Sequence, residues 1–393
     1  MSLTRRRLFQ HLAAPDHSAR AEWIAARGRE AGLIEYGEQG MASGAMPIRI
    51  ASNENPLGPG QHVLDAIVGK FPEAHRYPFN ASQTEGGLIS AIAQKFDAKN
   101  ENVLLGPGSG EILTHSVRAF TSPSKPLVTA WPSFENPRET AQRIGTPVKE
   151  VALDGKLRLD IARMVEASKG AGLVFFCNPN NPTATVHGKA AVADMVKEIR
   201  AASPDTMILI DEAYHDYVTD PSYQSAIDIA LATPNVYVTR TFSKAHGMAG
   251  LRAGYAIGHA PTIKAIQAYK MPYGLGTLTL GGAIVSLGNT AHIEQERQRN
   301  TDVKAFTVKA FADMGITGTD SQTNFIFMDI KRSAAGFRDA CRAAGVLVGR
   351  DFPPHEKTHA RISIGTMAEM QKAVGVFRRV LGNPQTTSSK ERR

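Results

Sequence analysis

The chain has 393 residues, 42% of them hydrophobic, and a formal charge of +8; that length exceeds one ordinary domain and points to a two-domain enzyme with a sizeable core. The basic excess gathers at the ends, in Arg5, Arg6 and Arg7 and in Lys390, Arg392 and Arg393, with no interleaved aromatic pattern, so nucleic-acid binding is not expected. Two cysteines, Cys177 and Cys341, lack CxxC or Cys/His spacing; neither a disulfide framework nor a metal site is expected, and no apolar run reaches the ~18 residues a membrane span needs.

In chain order, Thr4-Arg5-Arg6-Arg7-Leu8-Phe9 resembles a twin-arginine export signal. Such a signal also needs an apolar segment of ~7–15 residues, and the stretch that follows is broken by Pro15, Asp16, His17, Arg20 and Glu22. The expectation is a cytoplasmic protein with an N-terminal arm over residues 1–45, with export as the alternative. From about residue 100, short apolar runs at 103–105, 126–129, 172–176, 207–210, 236–239 and 254–257 alternate with helical patterns such as 110–120 and 190–201. That alternation predicts an α/β fold with a large, mostly parallel sheet. After Gly288 the layout changes to a long charged helix (292–314), a run at 324–330, a helix at 337–343 and strands at 346–348 and 361–364. The expected organisation is a large domain over 76–288, a smaller α+β domain from 46–75 with 289–380, and a polar tail over 381–393.

The strongest local signal is Thr241-Phe242-Ser243-Lys244-Ala245-His246, followed by Gly250-Leu251-Arg252, just after the run at 236–239. A lysine leaving a strand's carboxyl end stands where open α/β sheets place ligands. Two hydroxyls and an arginine around it suit a phosphate dianion; the alternative is a surface loop with a solvated lysine. Upstream, Cys177-Asn178-Pro179-Asn180-Asn181-Pro182-Thr183 follows the run at 172–176, and its prolines end the strand and hold an amide at the same edge. Ile208-Leu209-Ile210-Asp211-Glu212-Ala213-Tyr214 puts a carboxylate at the end of an apolar strand, where it either caps a helix or does chemistry. Gly106-Pro107-Gly108-Ser109-Gly110 is a glycine-rich turn into a helix, whose N–H groups can hold an anion. It is neither a Walker A loop nor a dinucleotide fingerprint.

Taken together these segments resemble the fold-type I pyridoxal 5′-phosphate (PLP) aminotransferases, in the class I/II branch that contains histidinol-phosphate aminotransferase. The resemblance spans roughly residues 48–370 and includes Ser52-Asn53-Glu54-Asn55-Pro56, Arg76-Tyr77-Pro78, Trp131-Pro132-Ser133-Phe134, Asn324-Phe325 and Arg361-Ile362-Ser363-Ile364-Gly365, in the family's order. It implies the aspartate-aminotransferase fold, with Lys244 holding PLP as a Schiff base and then moving a proton on the substrate. It further implies Asp211 at the pyridine nitrogen, Asn181 and Tyr214 at the ring O3′, and Phe134 on the ring face. The cofactor phosphate would be held at Ser109, Gly110, Thr241, Ser243 and Arg252, and by Tyr77 from the partner subunit of a homodimer. Arg361 matches the arginine for the substrate α-carboxylate, Asn324 would orient that site, and Asn53, Glu54 and Asn55 would line the entrance. Arg350 lies near the position of a second arginine that contacts the distal end of the substrate; a salt bridge with Asp351 is the alternative.

Three features depart from the family. Ala184 replaces the glycine that usually follows Asn-Pro-Thr, in a conformation an alanine can adopt. His246 is either an acid/base or substrate contact or a side chain that packs or faces the interface, and the arginine-rich N-terminal arm with Trp23 has no counterpart in the short histidine-pathway enzymes. The resemblance implies amino transfer between an L-amino acid, or histidinol phosphate, and a 2-oxo acid. The alternatives are another PLP reaction of specialised metabolism (oxidation, decarboxylation or elimination) and a PLP-fold regulator, for which no helix-turn-helix precedes residue 48.

Overall fold

A computed structural model describes residues 46–78 and 85–382. The arm expected over residues 1–45 and the tail from residue 383 lie outside the described residues. The apolar runs become the strands of a seven-stranded sheet: β2 (Val103–Gly106), β3 (Leu127–Trp131), β4 (Val148–Ala152), β5 (Leu173–Cys177), β6 (Met207–Asp211), β7 (Val236–Thr241) and β8 (Gly254–Gly258). Their spatial order is β2-β8-β7-β6-β5-β3-β4. β3 to β7 run parallel, while β8 is antiparallel to both its neighbours. The carboxyl ends of β2, β3, β5, β6 and β7 therefore share one edge with the start of β8.

These strands read as continuous apolar runs because both faces are covered. Val174, Phe176, Ile208, Ile210, Val236 and Val238 enter one core, and Leu173, Phe175, Met207, Leu209 and Tyr237 enter another on the opposite face. That is the two-residue alternation of a strand. Each fully buried Leu, Ile or Phe here contributes roughly 1.5–3 kcal/mol relative to exposure. Helix Ser109–Phe120 turns Ile112, Leu113 and Val117 onto the second core, which fixes its N-terminus at the sheet edge.

A further core is built by Ile50, Val303, Phe311, Phe337, Phe377 and their neighbours. Over it lie two small ladders: β1 (Ile48–Ile50) parallel to β10 (Val346–Val348), and β9 (Phe325–Asp329) antiparallel to β11 (His359–Ser363). The expected helix at 292–314 is Thr290–Ala312. Helix Gln61–Gly69, expected with the C-terminal region, packs instead on Thr277–Gly288: Val63 belongs to the sheet core, and a Cβ on Gly282 would stand 3.1 Å from Ile67 Cγ1. Its apolar side chains follow the close approach that Gly281 and Gly282 permit. No described helix is long and apolar enough to cross a membrane, and no described cluster of His, Cys, Asp and Glu could hold a metal ion.

Candidate functional site

A cavity of about 780 Å³ opens at the shared strand edge, lined among others by Ser109, Gly110, Phe134, Asn181, Asp211, Tyr214, Thr241, Ser243, Lys244, Arg252, Arg350 and Arg361. Asn53 also lines it; Asn324, Tyr77 and His246 do not.

Asp211 ends β6 and is buried, with Oδ1 accepting from Thr239 Oγ1 at 2.8 Å. Burial pushes its carboxyl up to about 7, against the opposing Thr239 hydrogen bond, and Glu212 adds to the rise while Lys244 opposes it. A buried carboxylate so placed ionises readily only beside a cation. Glu212 is held separately, in a buried pair with Arg240 at 2.9 Å. The Lys244 amine donates to Ser52 O at 3.3 Å and lies 5.5 Å from the Tyr214 ring. Burial, then Arg361 and Arg252, lower its pKa to about 8, opposed by Glu54 and Asp211. A larger share of it is therefore the free, nucleophilic amine at neutral pH than for an exposed lysine.

Beside this pair lies a cup of donors. Thr241 Oγ1 bonds Ser243 Oγ at 2.9 Å; Arg252, in the left-handed region at φ 55°, donates to Ser243 Oγ at 3.2 Å, Ala249 O at 2.9 Å and Pro107 O at 3.3 Å. The helix Ser109–Phe120 points its N-terminus into the same space. Glycine is required here on two grounds: Gly108 has φ 78° with a would-be Cβ 2.3 Å from Arg252 Nη2, and a Cβ on Gly254 would stand 2.4 Å from Ser109 N. A helix N-terminus, two hydroxyls and a guanidinium around a cradle free of side chains fit a phosphate dianion. With the buried carboxylate and the lowered amine, these residues fit PLP.

Arg361, on β11, is buried and faces the cup from the other core. Its Nη1 donates to Asn181 Oδ1 at 2.8 Å and Nη2 to Ala51 O at 2.7 Å, while Nε is buried with no partner among the described residues. Burial and the neighbouring Arg350 lower its pKa to about 10, against the pull of Tyr214. It faces the cavity with neutral acceptors only, and so retains its charge for an anion. Tyr214, raised above the ordinary tyrosine range by burial, has its hydroxyl bonded by Asn53 Nδ2 at 3.1 Å and its ring edge-on to Phe325.

The structure sharpens several expectations. Asn53 (φ 57°) exchanges bonds of 2.8 and 2.7 Å with Ser363 and is a strut between Tyr214 and β11. Asn324 makes no hydrogen bond to Arg361 among the described residues: its Nδ2 donates to Asn53 O at 3.0 Å and Glu54 O at 3.4 Å, holding the entrance segment. The alternative for Arg350 is corrected, because its guanidinium pairs with Glu135, and Asp351 pairs with Arg338. Ala184 adopts φ 61°, the glycine-like conformation its position demands. His246 is a packed side chain: its Nδ1 lies 2.7 Å from Ser286 Oγ and its ring 4.7 Å from Phe242. Tyr77 is 69% exposed and sits against Tyr273, away from this cavity. Sequence reading missed Glu135, Arg338 and Arg342, which line the cavity's far side.

The sequence profile described as "Aminotransferase class I and II" matches residues 45–377. The chain is 32% identical over 336 residues to a histidinol-phosphate aminotransferase of Moorella thermoacetica, covering 85% of both proteins. It is 31% identical over 337 residues to an aromatic amino acid aminotransferase of Streptomyces avermitilis, covering 84% of this chain and 89% of that protein. Histidinol-phosphate aminotransferase from Sinorhizobium meliloti, solved in complex with pyridoxal-5′-phosphate, shares the fold, with a TM-score of 0.79 and 24% identity over 91% of this chain and 94% of that one. With a cavity whose residues fit PLP and a profile match across most of its length, the chain belongs to the class I and II aminotransferases, as a PLP-dependent transaminase of fold type I.

Proposed function

We propose that the enzyme moves an amino group between an L-amino acid, or histidinol phosphate, and a 2-oxo acid, with Lys244 as the amine that carries the cofactor. The carrying observation is the convergence of the Lys244 amine, the buried Asp211 carboxyl and the carboxylate-free Arg361 guanidinium on one cavity. When bound, PLP supplies an electron sink for the bond broken at the substrate Cα. Arg361 grips the α-carboxylate with its two-pronged fork and so presents Cα to the cofactor. Lys244, once its amine is free, would take the proton from the substrate Cα and deliver it to the cofactor carbon C4′; its lowered pKa keeps it a competent base near neutral pH. Asp211 would hold the ring nitrogen's proton, Asn181 and Tyr214 would serve the ring oxygen, Phe134 would cover the ring face, and the Ser109–Arg252 cup would anchor the phosphate.

We read the C-terminal core as a small domain that carries Arg361, and the seven-stranded sheet as the large cofactor-binding domain. Tyr77 is assigned to the partner's phosphate cup in a homodimer, a reading supported by its exposure beside the exposed ring of Tyr273. A cytoplasmic location is kept as part of the proposal.

The test is a panel of amino acids added to the holoenzyme, followed by visible absorbance and oxygen consumption. A spectral conversion that a 2-oxo acid reverses is expected; oxygen uptake with release of ammonia would sink the reading. Lys244→Ala should lower turnover by about 10²- to 10⁴-fold and abolish borohydride fixation of the cofactor. Full fixation in that variant would refute Lys244 as the attachment point.

A further inference from the structure

The far side of the cavity carries a set of charges that the chemistry around Lys244 leaves unused. Arg350 follows β10, and its Nη2 pairs with Oε1 of Glu135, a residue 215 positions away that directly follows Phe134 and stands just before helix Asn136–Arg143 without a side-chain bond to it. Its guanidinium also donates to Asp351 O at 3.2 Å and lies 4.3 Å from the centre of the Phe352 ring. Arg338, on helix Ala334–Ala343, is paired with the Asp351 carboxylate. Arg342, one helical turn further on, lines the cavity with no side-chain hydrogen bond or ion pair among the described residues. Glu135 and Asp351 thus occupy Arg350 and Arg338, the latter also 3.8 Å from the outward-facing Asp339, and Arg342 is the guanidinium on this wall with no carboxylate partner among the described residues.

We propose that Glu135 is a specificity-determining residue: a carboxylate latch that holds Arg350 beside a neutral substrate tail and releases it to a tail ending in a carboxylate or phosphate group. The inference rests on the transaminase reading above. Amino transfer places two substrates in the same cavity in turn, and their tails need not share a charge. Beside an apolar tail, a bare guanidinium would lose water without gaining a partner, a costly arrangement. Glu135 supplies the missing anion from within the protein. Beside an anionic tail the same guanidinium changes partners. The exchange is feasible because the pair is only partly buried, with side chains 50% and 22% exposed, so little is lost in opening it. Arg342 adds the charge that draws an anion toward this wall.

The experiment uses holoenzyme and ligands that lack an amino group, read by calorimetry: glutarate, 4-phosphonobutyrate and 3-phenylpropionate. All three present one carboxylate to Arg361 and differ only in the tail. Glu135→Gln should lower the dissociation constant of glutarate or of the phosphonate by about three- to tenfold. The larger gain shows which anion the wall fits, and 3-phenylpropionate should move less than about twofold. Asp339→Asn is the control for bulk charge: Asp339 is 71% exposed and sits 3.8 Å from Arg338, off the cavity wall. Equal gains for all three ligands, no gain for either anion, or the same gain from Asp339→Asn would each overturn the latch. The latch is judged by binding alone. If no amino donor converts the holoenzyme's spectrum, the transaminase reading fails separately.

Discussion

The two ends of the cavity hold their arginines by opposite means. At the cofactor end, Arg252 and Arg361 donate only to neutral acceptors, Ser243 Oγ and backbone carbonyls for one, Asn181 Oδ1 and Ala51 O for the other. At the distal wall, Arg350 and Arg338 are paired with Glu135 and Asp351. Neutral acceptors fix a guanidinium's geometry without cancelling its charge, so an arriving phosphate or α-carboxylate meets the whole of it. Carboxylates cancel the charge until something displaces them. The first arrangement suits groups common to every turnover, and the second suits a group present on only some substrates.

The cofactor end is also where the largest effects are expected. Asp211 is buried, and its carboxyl is pushed up to about 7, chiefly by that burial. In the unfolded chain an Asp titrates near ~3.9. Between those values the folded, cofactor-free protein holds a proton that the unfolded chain has lost. Its stability should therefore fall as pH rises from about 4 to about 7, by on the order of 4 kcal/mol. Asp211→Asn removes the titrating group and should flatten that part of the curve. Urea midpoints at pH 5 and pH 7.5 decide it, and an unchanged pH slope in the variant would contradict the assignment.

Arg361→Lys comes next. Lysine is a point charge on a flexible stem and cannot reproduce the two-pronged contact, so kcat/KM should drop by about 10²-fold. The loss should be the same for acidic and aromatic donors, because the α-carboxylate is shared. A loss confined to one class would blur the distinction between the two ends.

Most of the cofactor end was legible in the sequence, because its residues sit at the ends of apolar strands. Asp211 and Thr241 close β6 and β7, and Ser109 opens the helix after β2, so reading the strands picked out residues that line one cavity. The distal wall gave no such signal. Arg338 and Arg342 have the four-residue spacing of any solvated helix face, and Glu135 reads as an ordinary charge at a helix start. Only tertiary packing brings Glu135 and Arg350 together across 215 positions. The same holds for Asn324, whose amide serves the Asn53–Glu54 backbone, and for His246, whose closeness to Lys244 in sequence ends in a core contact with Ser286.

The smallest effects test the latch as a switch rather than a clamp. Arg350→Gln removes the guanidinium and leaves Glu135 bare toward the tail, so glutarate binding should weaken by about tenfold. Arg350→Gln with Glu135→Gln should recover part of that loss, since the repelling carboxylate is gone. In thermal or urea unfolding the same cycle should give a coupling below about 1 kcal/mol, as expected for a pair that is half exposed on one side. The contrast between the two readouts is what matters. An interdomain clamp would show its coupling in stability, above about 2 kcal/mol, and none in anion binding. A latch opened by substrate must show the reverse, because a bond strong enough to hold the fold together would be too strong for a substrate's tail to break.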